Sequence, residues 1–450
     1  MRILASSITL ALLPSLLGAQ AIPDTEYVTR RDRLMETLPD GIVLLHARSA
    51  AKEMEQPSFV QDPSFFYLTG LPNLPGAVLA LDGPRRESHL FVPPPPLSFG
   101  QPVHGLIPPA TEASARQHGF TTVRSWDELA GYVRARLDDG VNPLYLDGSR
   151  RSEATGNPPG FRPVAGATTL WHAAVADAFP DATIESARPA ITAMRWVKSA
   201  AEVAVLRRNA DATAAALLAG MRAVRPGITQ RESEAAVIQG CIDAGGEGPS
   251  FWPWTMSGPN AHVGQLVRAF YDYAHLNRTM EAGELVRMDV GCAGGYYGGD
   301  VGRTIPTSGV FDPDQREVWN LLIAGYRAGM DAMRAGVTRT QVQRASTAGI
   351  RALQPGLETT AGLEAAAFLL SGRGREIWSI HGVGVESGEE ALNTLEAGSV
   401  IAFEPMLQIG AHAYYLEDMI LVTATGHEVL SAGLPYTAEE IEGAMRSLGR

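Results

Sequence analysis

The stretch VRMDVGCAGGYYGGDVGRT, residues 286–304, carries Asp289 and Asp300 in a segment otherwise dominated by glycine, tyrosine and small residues. Gly294 and Gly295 form a two-residue hairpin signal, because a type I′ turn needs positive φ at both central positions. A turn there would place the two aspartates opposite each other on one face, where like charges repel. The pattern predicts a hairpin whose carboxylates share a proton or bind cations. Two solvated carboxylates on an exposed hairpin are the alternative.

Three further residues complete a candidate ligand set. His381 stands in SIHGVGVESGE before a glycine-rich turn, Glu404 in the apolar segment AGSVIAFEPMLQIG, and Glu417 before the apolar run of AYYLEDMILVT. A lone glutamate in an apolar strand is costly unless it is paired or ligated. Taken singly, either glutamate is explained by an arginine partner and the histidine by an ordinary hydrogen bond. Together with the two aspartates they give one imidazole and four carboxylates, which suit two divalent ions.

The composition excludes several classes of protein. The 450 residues, 45% of them hydrophobic, are enough for two or three domains. Lys and Arg number 37 against 49 Asp and Glu, so the net charge of −12 predicts no nucleic-acid partner. No H-E-x-x-H, C-x-x-C or G-x-x-x-x-G-K-[ST] motif occurs, and zincin, zinc-finger and P-loop interpretations have no support.

Residues 1–21, MRILASSITLALLPSLLGAQA, have the features of a secretory signal peptide: an early basic residue, an apolar stretch and an A-x-A cleavage signal ending at Ala21. A buried helix is the alternative. No later segment approaches about 18 consecutive apolar residues, so we expect no stable membrane insertion. The mature protein is therefore predicted to be exported, to the periplasm or the extracellular space.

The rest of the chain divides into two regions with different sequence patterns. Short apolar runs separated by turn residues predict an α/β domain over residues 22–190. Residues 191–450 contain an internal repeat, GMRAVRPGITQRESEAA and GMDAMRAGVTRTQVQRA, 109 residues apart, with Thr229 and Thr338 as helix N-caps. The repeat predicts a pseudo-two-fold body with a site between its halves. Chance similarity between two helix–turn–helix segments is the alternative. The predicted fold class is α/β (α+β), with the site in the second domain.

The chain has two cysteines, Cys241 and Cys292. Export permits a disulfide, but two cysteines in a large domain are more often buried, inert thiols. We expect unbridged thiols, with a disulfide as the alternative.

The order of the five candidate ligands, each within its local motif, resembles the metallopeptidases of the creatinase/aminopeptidase P family, which have the pita-bread fold. FVQDPSFFYLTGLPNLPGAVLAL (59–81) resembles the N-terminal domain of aminopeptidase P and prolidase, and MRWVKSAAEVAVLRRNA the entry to their catalytic domain. DVGCAGGYYGGDVGRTIPTSG resembles the first metal hairpin, and IAFEPM and YYLEDMILVT the two glutamate strands. The resemblance implies an aminopeptidase P-like domain over residues 22–190 and a pita-bread metallohydrolase domain over 191–450.

The resemblance also implies a dinuclear centre, commonly of manganese, with cobalt or zinc as alternatives. Asp289 would bind one ion, His381 the other, and Asp300, Glu404 and Glu417 would share in bridging them. Two such ions activate a water for attack on the scissile carbonyl, and Glu404 is predicted to move its proton to the leaving amine. The implied activity is that of an Xaa-Pro aminopeptidase acting on a peptide or another small amide. A homo-oligomeric state is compatible with this prediction.

The residues that the resemblance assigns to substrate binding depart from the family pattern. Gln265 and Gly388 stand where the family has histidines, and Tyr415 where it often has arginine. His262 is a candidate to replace one imidazole, so Glu404, His262 and Gln265 are the predicted catalytic residues. A prolidase-like dipeptidase, or a divergent metallohydrolase or lyase of non-peptide substrates, is the alternative. A peptide-binding pseudoenzyme ranks last, because all five ligand positions are kept.

Three aromatic residues of PSFWPWTMSGPN, namely Phe251, Trp252 and Trp254, are candidates for an apolar wall around a substrate proline ring. A plain core cluster is the alternative for all three.

Overall fold

The computed structural model describes residues 22–49, 59–147 and 167–448. The predicted signal peptide, residues 1–21, lies outside the described residues. Over the part of the chain that is described, no helix combines the length and the apolar character needed to cross a membrane.

The first region consists of one main sheet with helices around it. Its strands are β1 (Ile42–His46), β2 (Val78–Asp82), β3 (Glu87–Val92), β4 (Leu97–Ser98), β5 (Gln101–Pro102), β6 (Thr122–Ser125), β7 (Leu144–Leu146) and β8 (Ile184–Ser186). Its helices are α1 (Asp24–Thr37), α2 (Pro63–Thr69), α3 (Glu112–His118), α4 (Leu129–Asp138), α5 (Ala167–Ala178) and α6 (Arg188–Trp196).

Six of these strands form a mixed sheet in the order β6-β3-β2-β1-β7-β8. The strand β2 is buried along its whole length, with Leu79 and Leu81 in one hydrophobic cluster and Val78 and Ala80 in another. Alternate side chains of a strand point to opposite faces, so the sheet has a core on each side. The domain boundary predicted near residue 190 falls inside α6 and stays a prediction.

The second region contains the remaining elements. Its helices are α7 (Ala200–Ala223), α8 (Gln230–Asp243), α9 (Val263–Leu276), α10 (Pro313–Asp331), α11 (Arg339–Leu353), α12 (Thr360–Leu369) and α13 (Ala438–Leu448). Its strands are β9 (Gly248–Pro249), β10 (Trp254–Ser257), β11 (Leu285–Val290), β12 (Cys292–Gly294), β13 (Tyr297–Gly298), β14 (Val301–Pro306), β15 (Trp378–Gly382), β16 (Val400–Ile409), β17 (His412–Tyr415), β18 (Asp418–Val422) and β19 (His427–Val429).

The internal repeat corresponds to two similar halves. The first half has the helices α7 and α8 and the antiparallel sheet β10-β11-β14; the second has α10 and α11 and a sheet that includes β15-β16-β18. Thr229 and Thr338 are the N-caps of α8 and α11, as predicted. Each of them also forms a backbone bridge to a threonine of its own half, Thr279 and Thr394. The predicted pseudo-two-fold α/β body is therefore confirmed.

The predicted hairpin forms, but its turn lies one residue later than expected. The turn residues are Gly295 and Tyr296, whose φ angles are 60° and 66°, and Gly294 belongs to a strand. The ring of Tyr296 stacks on Phe66 of the first region with centroids 4.6 Å apart, and its hydroxyl donates a 2.9 Å hydrogen bond to the Pro72 carbonyl. These contacts hold a tyrosine in a left-handed conformation that a local sequence signal assigns to glycine.

The shift of the turn changes the partner of Asp289. In the β11–β14 ladder Asp289 pairs with Gly302, and Asp300 precedes the first residue of β14. The prediction of a direct cross-strand carboxylate pair is therefore wrong. Asp289 lies on β11 and Asp300 directly before the neighbouring strand β14, so the two aspartates are offset along the sheet.

The expectation of unbridged thiols is also wrong. Cys241 of α8 and Cys292 of β12 form a disulfide, with their Cα atoms 5.5 Å apart. Both side chains are fully buried. The bridge ties the helix pair of the first half to the strand that follows Asp289, a proximity that the sequence separation of 51 residues does not reveal.

Replacing both cysteines by serine is expected to lower the free energy of unfolding by about 4 kcal/mol, the entropic value for a closed loop of this length. Urea unfolding of the variant beside the oxidised wild type measures the difference. Thiol titration of the denatured wild type is the control, and two free thiols there would contradict the bridge.

Candidate metal centre

The five predicted ligands come from both halves of the second region. They are Asp289 on β11, Asp300 before β14, His381 on β15, Glu404 on β16 and Glu417 before β18. The halves meet at a backbone bridge in which the Gly302 N–H donates to the Glu417 carbonyl at 3.1 Å and the Glu417 N–H donates to the Gly302 carbonyl at 2.9 Å. The bridge places the last glutamate beside β14, the strand that follows Asp300.

The imidazole of His381 lies close to three of the four carboxylates. Its Nε2 atom is 3.5 Å from Oε1 of Glu404, 3.5 Å from Oε1 of Glu417 and 3.7 Å from Oδ2 of Asp300. Asp300, His381 and Glu417 each offer a ligand atom within 4.8 Å of the other two. These separations exceed ordinary hydrogen-bond lengths and leave room for a cation between the groups.

Burial and the closely spaced carboxylates shift the pKa values of these candidate ligands. Burial, reinforced by Glu417, raises the pKa of Asp289 to about 8 and that of Asp300 well above its usual range. The same causes raise the pKa of Glu404. For His381, burial lowers the pKa, but the close carboxylates of Glu417 and Glu404 outweigh it and raise the value to about 9. The cluster therefore takes up protons readily in the absence of other cations.

The donor set fits divalent metal ions. Oε1 of Glu417 is buried and has no hydrogen-bond partner, although a buried carboxylate oxygen is costly to leave unpaired. Carboxylate oxygens and an imidazole nitrogen are ligands that manganese, cobalt and zinc accept. A cation among these groups would satisfy the oxygen and offset the mutual repulsion of the carboxylates.

Sequence reasoning missed Arg287. This side chain is fully buried two residues before Asp289, with Nη1 3.7 Å from Oδ2 of that carboxylate. Its Nε and Nη1 atoms have no hydrogen-bond partner. A charge inside the apolar strand LVRMDV is the same kind of signal that singled out Glu404, so the sequence contained the information.

His262 and Gln265 lie at the start of α9. His262 is the N-cap residue, and its Nε2 atom is 3.1 Å from the Ala411 carbonyl oxygen. Gln265 is on the first turn of the helix, and its Oε1 atom is buried without a partner. Among the described residues, neither side chain hydrogen-bonds to a predicted ligand, and their catalytic roles stay predictions.

Gly388 is among the residues that line a cavity of about 530 Å³ between the two regions. Asp62 and Ile191 of the first region and Glu386 of the second are among the residues that line it. A Cβ atom at position 388 would meet open space, and the backbone there is not in the left-handed region. A histidine is therefore sterically possible at this position.

One of the three aromatic candidates lies beside Asp289. Trp254 pairs with Asp289 across the β10–β11 ladder. Its ring makes edge contacts with Phe270 and Tyr273 of α9, at centroid distances of 5.2 and 5.4 Å, and Trp252 contacts Tyr273 at 5.8 Å. The helix α9 thus extends the aromatic surface next to the aspartate, which sequence reasoning assigned to the Trp-rich segment alone.

Two family models match the chain. The model of metallopeptidase family M24 matches residues 204–424, and that of the N-terminal domain of aminopeptidase P matches residues 27–144. An Xaa-Pro aminopeptidase of Escherichia coli is 27% identical over 93% of this chain and 97% of that protein. One of Haemophilus influenzae is 25% identical over 94% of this chain and 98% of that protein. Similarity to these relatives extends over both regions of the chain.

Solved structures share the fold. The aminopeptidase PepP of Pseudomonas aeruginosa gives a TM-score of 0.74 at 24% identity, covering 95% of this chain and 99% of that one. Zinc-substituted Escherichia coli aminopeptidase P in complex with product gives 0.73 at 24% identity, covering 96% and 100%. The predicted fold class and the predicted family resemblance are confirmed. From the two family models and their order along the sequence, the chain belongs to metallopeptidase family M24 and carries an aminopeptidase P N-terminal domain.

Proposed function

We propose that the protein is an exported hydrolase with two divalent metal ions that acts as an Xaa-Pro aminopeptidase, releasing the residue that precedes proline at a peptide N-terminus. The observation that carries the proposal is the convergence of four carboxylates and one imidazole at the junction of the two halves. The full-length similarity to two Xaa-Pro aminopeptidases supports this substrate class.

The proposed ligands are Asp289, Asp300, His381, Glu404 and Glu417. When bound, two divalent ions supply a Lewis acid for the scissile carbonyl and make hydroxide available at neutral pH. Among the glutamates, Glu404 is the better proton carrier, because 25% of its side chain is exposed against 1% for Glu417. A proton carrier must reach both the attacking water and the leaving amine, which favours the more accessible carboxylate.

Manganese is the proposed metal, with cobalt or zinc as alternatives. Four carboxylates favour a hard ion such as manganese, and one imidazole is compatible with zinc. The zinc-substituted Escherichia coli aminopeptidase P shows that a protein of the same fold accepts zinc. Elemental analysis of the protein purified from its native compartment decides between them.

Export is proposed from residues 1–21 and is supported by the disulfide. Disulfides form and persist in oxidising compartments such as the periplasm. Mass spectrometry of the mature protein is expected to find an N-terminus at Ile22. An intact Met1 on protein recovered from the cytoplasm, with reduced cysteines, would contradict export.

The alternatives differ in substrate. A prolidase-like dipeptidase would share the metal centre and accept only dipeptides, and a divergent hydrolase or lyase would act on non-peptide substrates. The residues at positions 265, 388 and 415, namely Gln265, Gly388 and Tyr415, differ from the family pattern and favour a changed substrate-binding site. The five proposed ligands are all present, which disfavours a pseudoenzyme. We therefore propose an assay of the manganese-reconstituted mature protein against Xaa-Pro peptides, dipeptides and a panel of esters and amides. Activity confined to the esters would overturn the peptidase proposal.

Native hydrolysis of Xaa-Pro peptides is expected to be weak, and Gly388→His is expected to raise it by about tenfold or more. The reason is that a hydrogen-bond donor to the developing oxyanion is worth about 10²–10³ in rate, and Gly388 has no side chain to donate. The open space at this position admits the imidazole. The ratio of kcat/KM values for the variant and the wild type measures the effect.

Gly372→His is the matched control, because Gly372 is also exposed and a Cβ there also meets open space. It is expected to leave hydrolysis unchanged. Strong native activity, unaltered by Gly388→His, would show that another group supplies the donor, and His262 is the first to test.

A further inference from the structure

Tyr415 contacts the candidate metal centre through the carboxylate of Glu417. Its hydroxyl donates a 2.7 Å hydrogen bond to Oε2 of Glu417 and lies 3.4 Å from Oε2 of Glu404. The other oxygen of Glu417, Oε1, has no hydrogen-bond partner and lies 3.5 Å from Nε2 of His381. The phenol therefore occupies one oxygen of Glu417 and leaves the second one facing the imidazole.

The ring of Tyr415 is tightly held. It is buried against the backbone of Gly302, where a Cβ atom would lie 2.0 Å from the tyrosine Cε1 atom. The tyrosine N–H donates a 2.7 Å hydrogen bond to Oγ1 of Thr304, and the guanidinium carbon of Arg287 lies 5.6 Å from the ring centroid. The hydroxyl thus has a fixed position, and only glycine at 302 leaves room for the ring.

We propose that Tyr415 is a positioning residue for Glu417, orienting this carboxylate so that Oε1 is available to a metal ion, and that Gly302 is required to admit it. The inference rests on the proposed function, because it takes Glu417 as a metal ligand. A phenol fixes the carboxylate without adding charge to the centre. Hydrogen-bond partners of metal ligands typically contribute a factor of 10–100 to metal affinity.

The first experiment measures manganese affinity by titration calorimetry on the full-length mature protein. Tyr415→Phe keeps the ring and removes only the hydroxyl, and it is expected to weaken the binding of at least one ion by about 10–100-fold. Tyr414→Phe is the matched control: it is an equally buried tyrosine next in sequence, and its side chain points to the opposite face of β17. It is expected to leave the affinity unchanged.

A second variant tests the role of Gly302. Gly302→Ala removes no polar group, but its methyl group must displace the Tyr415 ring, so we expect a loss of affinity similar to that of Tyr415→Phe. The double variant is expected to show no further loss, because both changes remove the same hydrogen bond. Thermal unfolding of each metal-free variant shows whether it is folded at the temperature of the titration.

The outcomes separate this inference from the proposed function. A wild type that binds two ions while Tyr415→Phe binds them with the same affinity would overturn the inference alone. A wild type that binds no divalent ion would overturn the proposed function and the inference with it. Additive losses in the double variant would overturn the proposed role of Gly302.

Discussion

Glu404→Gln is expected to lower kcat by at least about 10³-fold. The carboxylate lies 3.5 Å from the imidazole of His381 and, unlike Glu417, is partly exposed, so it is placed to carry a proton between the cluster and a substrate. Loss of a general acid–base group costs about 10²–10⁴ in rate, and the substitution also removes a proposed metal ligand. Steady-state kinetics, with the metal content of the same sample measured alongside, tests this.

Glu386→Gln is the matched control. Glu386 is 48% exposed and forms a 2.8 Å ion pair with Arg195 at the cavity between the two regions. Exposed ion pairs contribute little, so this variant should retain nearly full activity. Equal losses at the two positions would show that the proton carrier has been assigned to the wrong strand.

Much of the centre could be predicted from the sequence because a buried charge is conspicuous there. Glu404 and Glu417 stand at apolar strands, and burying an unpaired carboxylate is costly enough to demand an explanation. Arg287 carries the same signal, and it lies beside Asp289 as that rule would lead one to expect. The family resemblance then implied the fold and the order of the candidate ligands.

What sequence reasoning got wrong depends on contacts between distant segments. The glycine pair of the hairpin predicts a turn, but Phe66 and Pro72, more than 200 residues away, hold Tyr296 in that turn instead. The disulfide likewise depends on the fold bringing Cys241 of α8 within 5.5 Å (Cα to Cα) of Cys292 of β12. Local preferences cannot encode such contacts, because tertiary packing routinely overrides them.

Tyr415 shows the limit in a different way. The resemblance identifies it as a departure from an arginine pattern, which by itself indicates only a loss. Its hydrogen bond to Glu417 and its close approach to Gly302 are visible only in the fold. A substitution that looks like a missing group thus places a phenol on the carboxylate of Glu417.

Asp300→Asn is expected to reduce the metal content from two divalent ions per chain to one or none and to abolish hydrolysis. Asp300 is nearly fully buried within 3.7 Å of His381, and an amide cannot bridge two cations as a carboxylate can. Elemental analysis after reconstitution and dialysis gives the stoichiometry. Asp331→Asn, an exposed change on α10, is the control and should keep both ions. A wild-type content near zero, the same in Asp300→Asn, would refute the metal centre.

The Asp300→Asn variant also tests the buried charge of the metal-free centre, through the dependence of its stability on pH. The pKa of Asp289 is raised from 3.8 to about 8, and that of His381 from 6.5 to about 9. For each group, the folded chain therefore binds more protons than the unfolded chain at any pH between its lower and its higher value. Stability of the metal-free protein must therefore fall as the pH rises through this range, and the stabilisation by manganese must grow, because the ions take the place of the protons. Asp300→Asn removes one of the buried carboxyls, so its melting temperature in the presence of a chelator should fall less steeply between pH 5 and pH 8 than that of the wild type. Equal slopes for the two proteins would mean that Asp300 does not share the buried charge, and the case for a cation between it and His381 would fail.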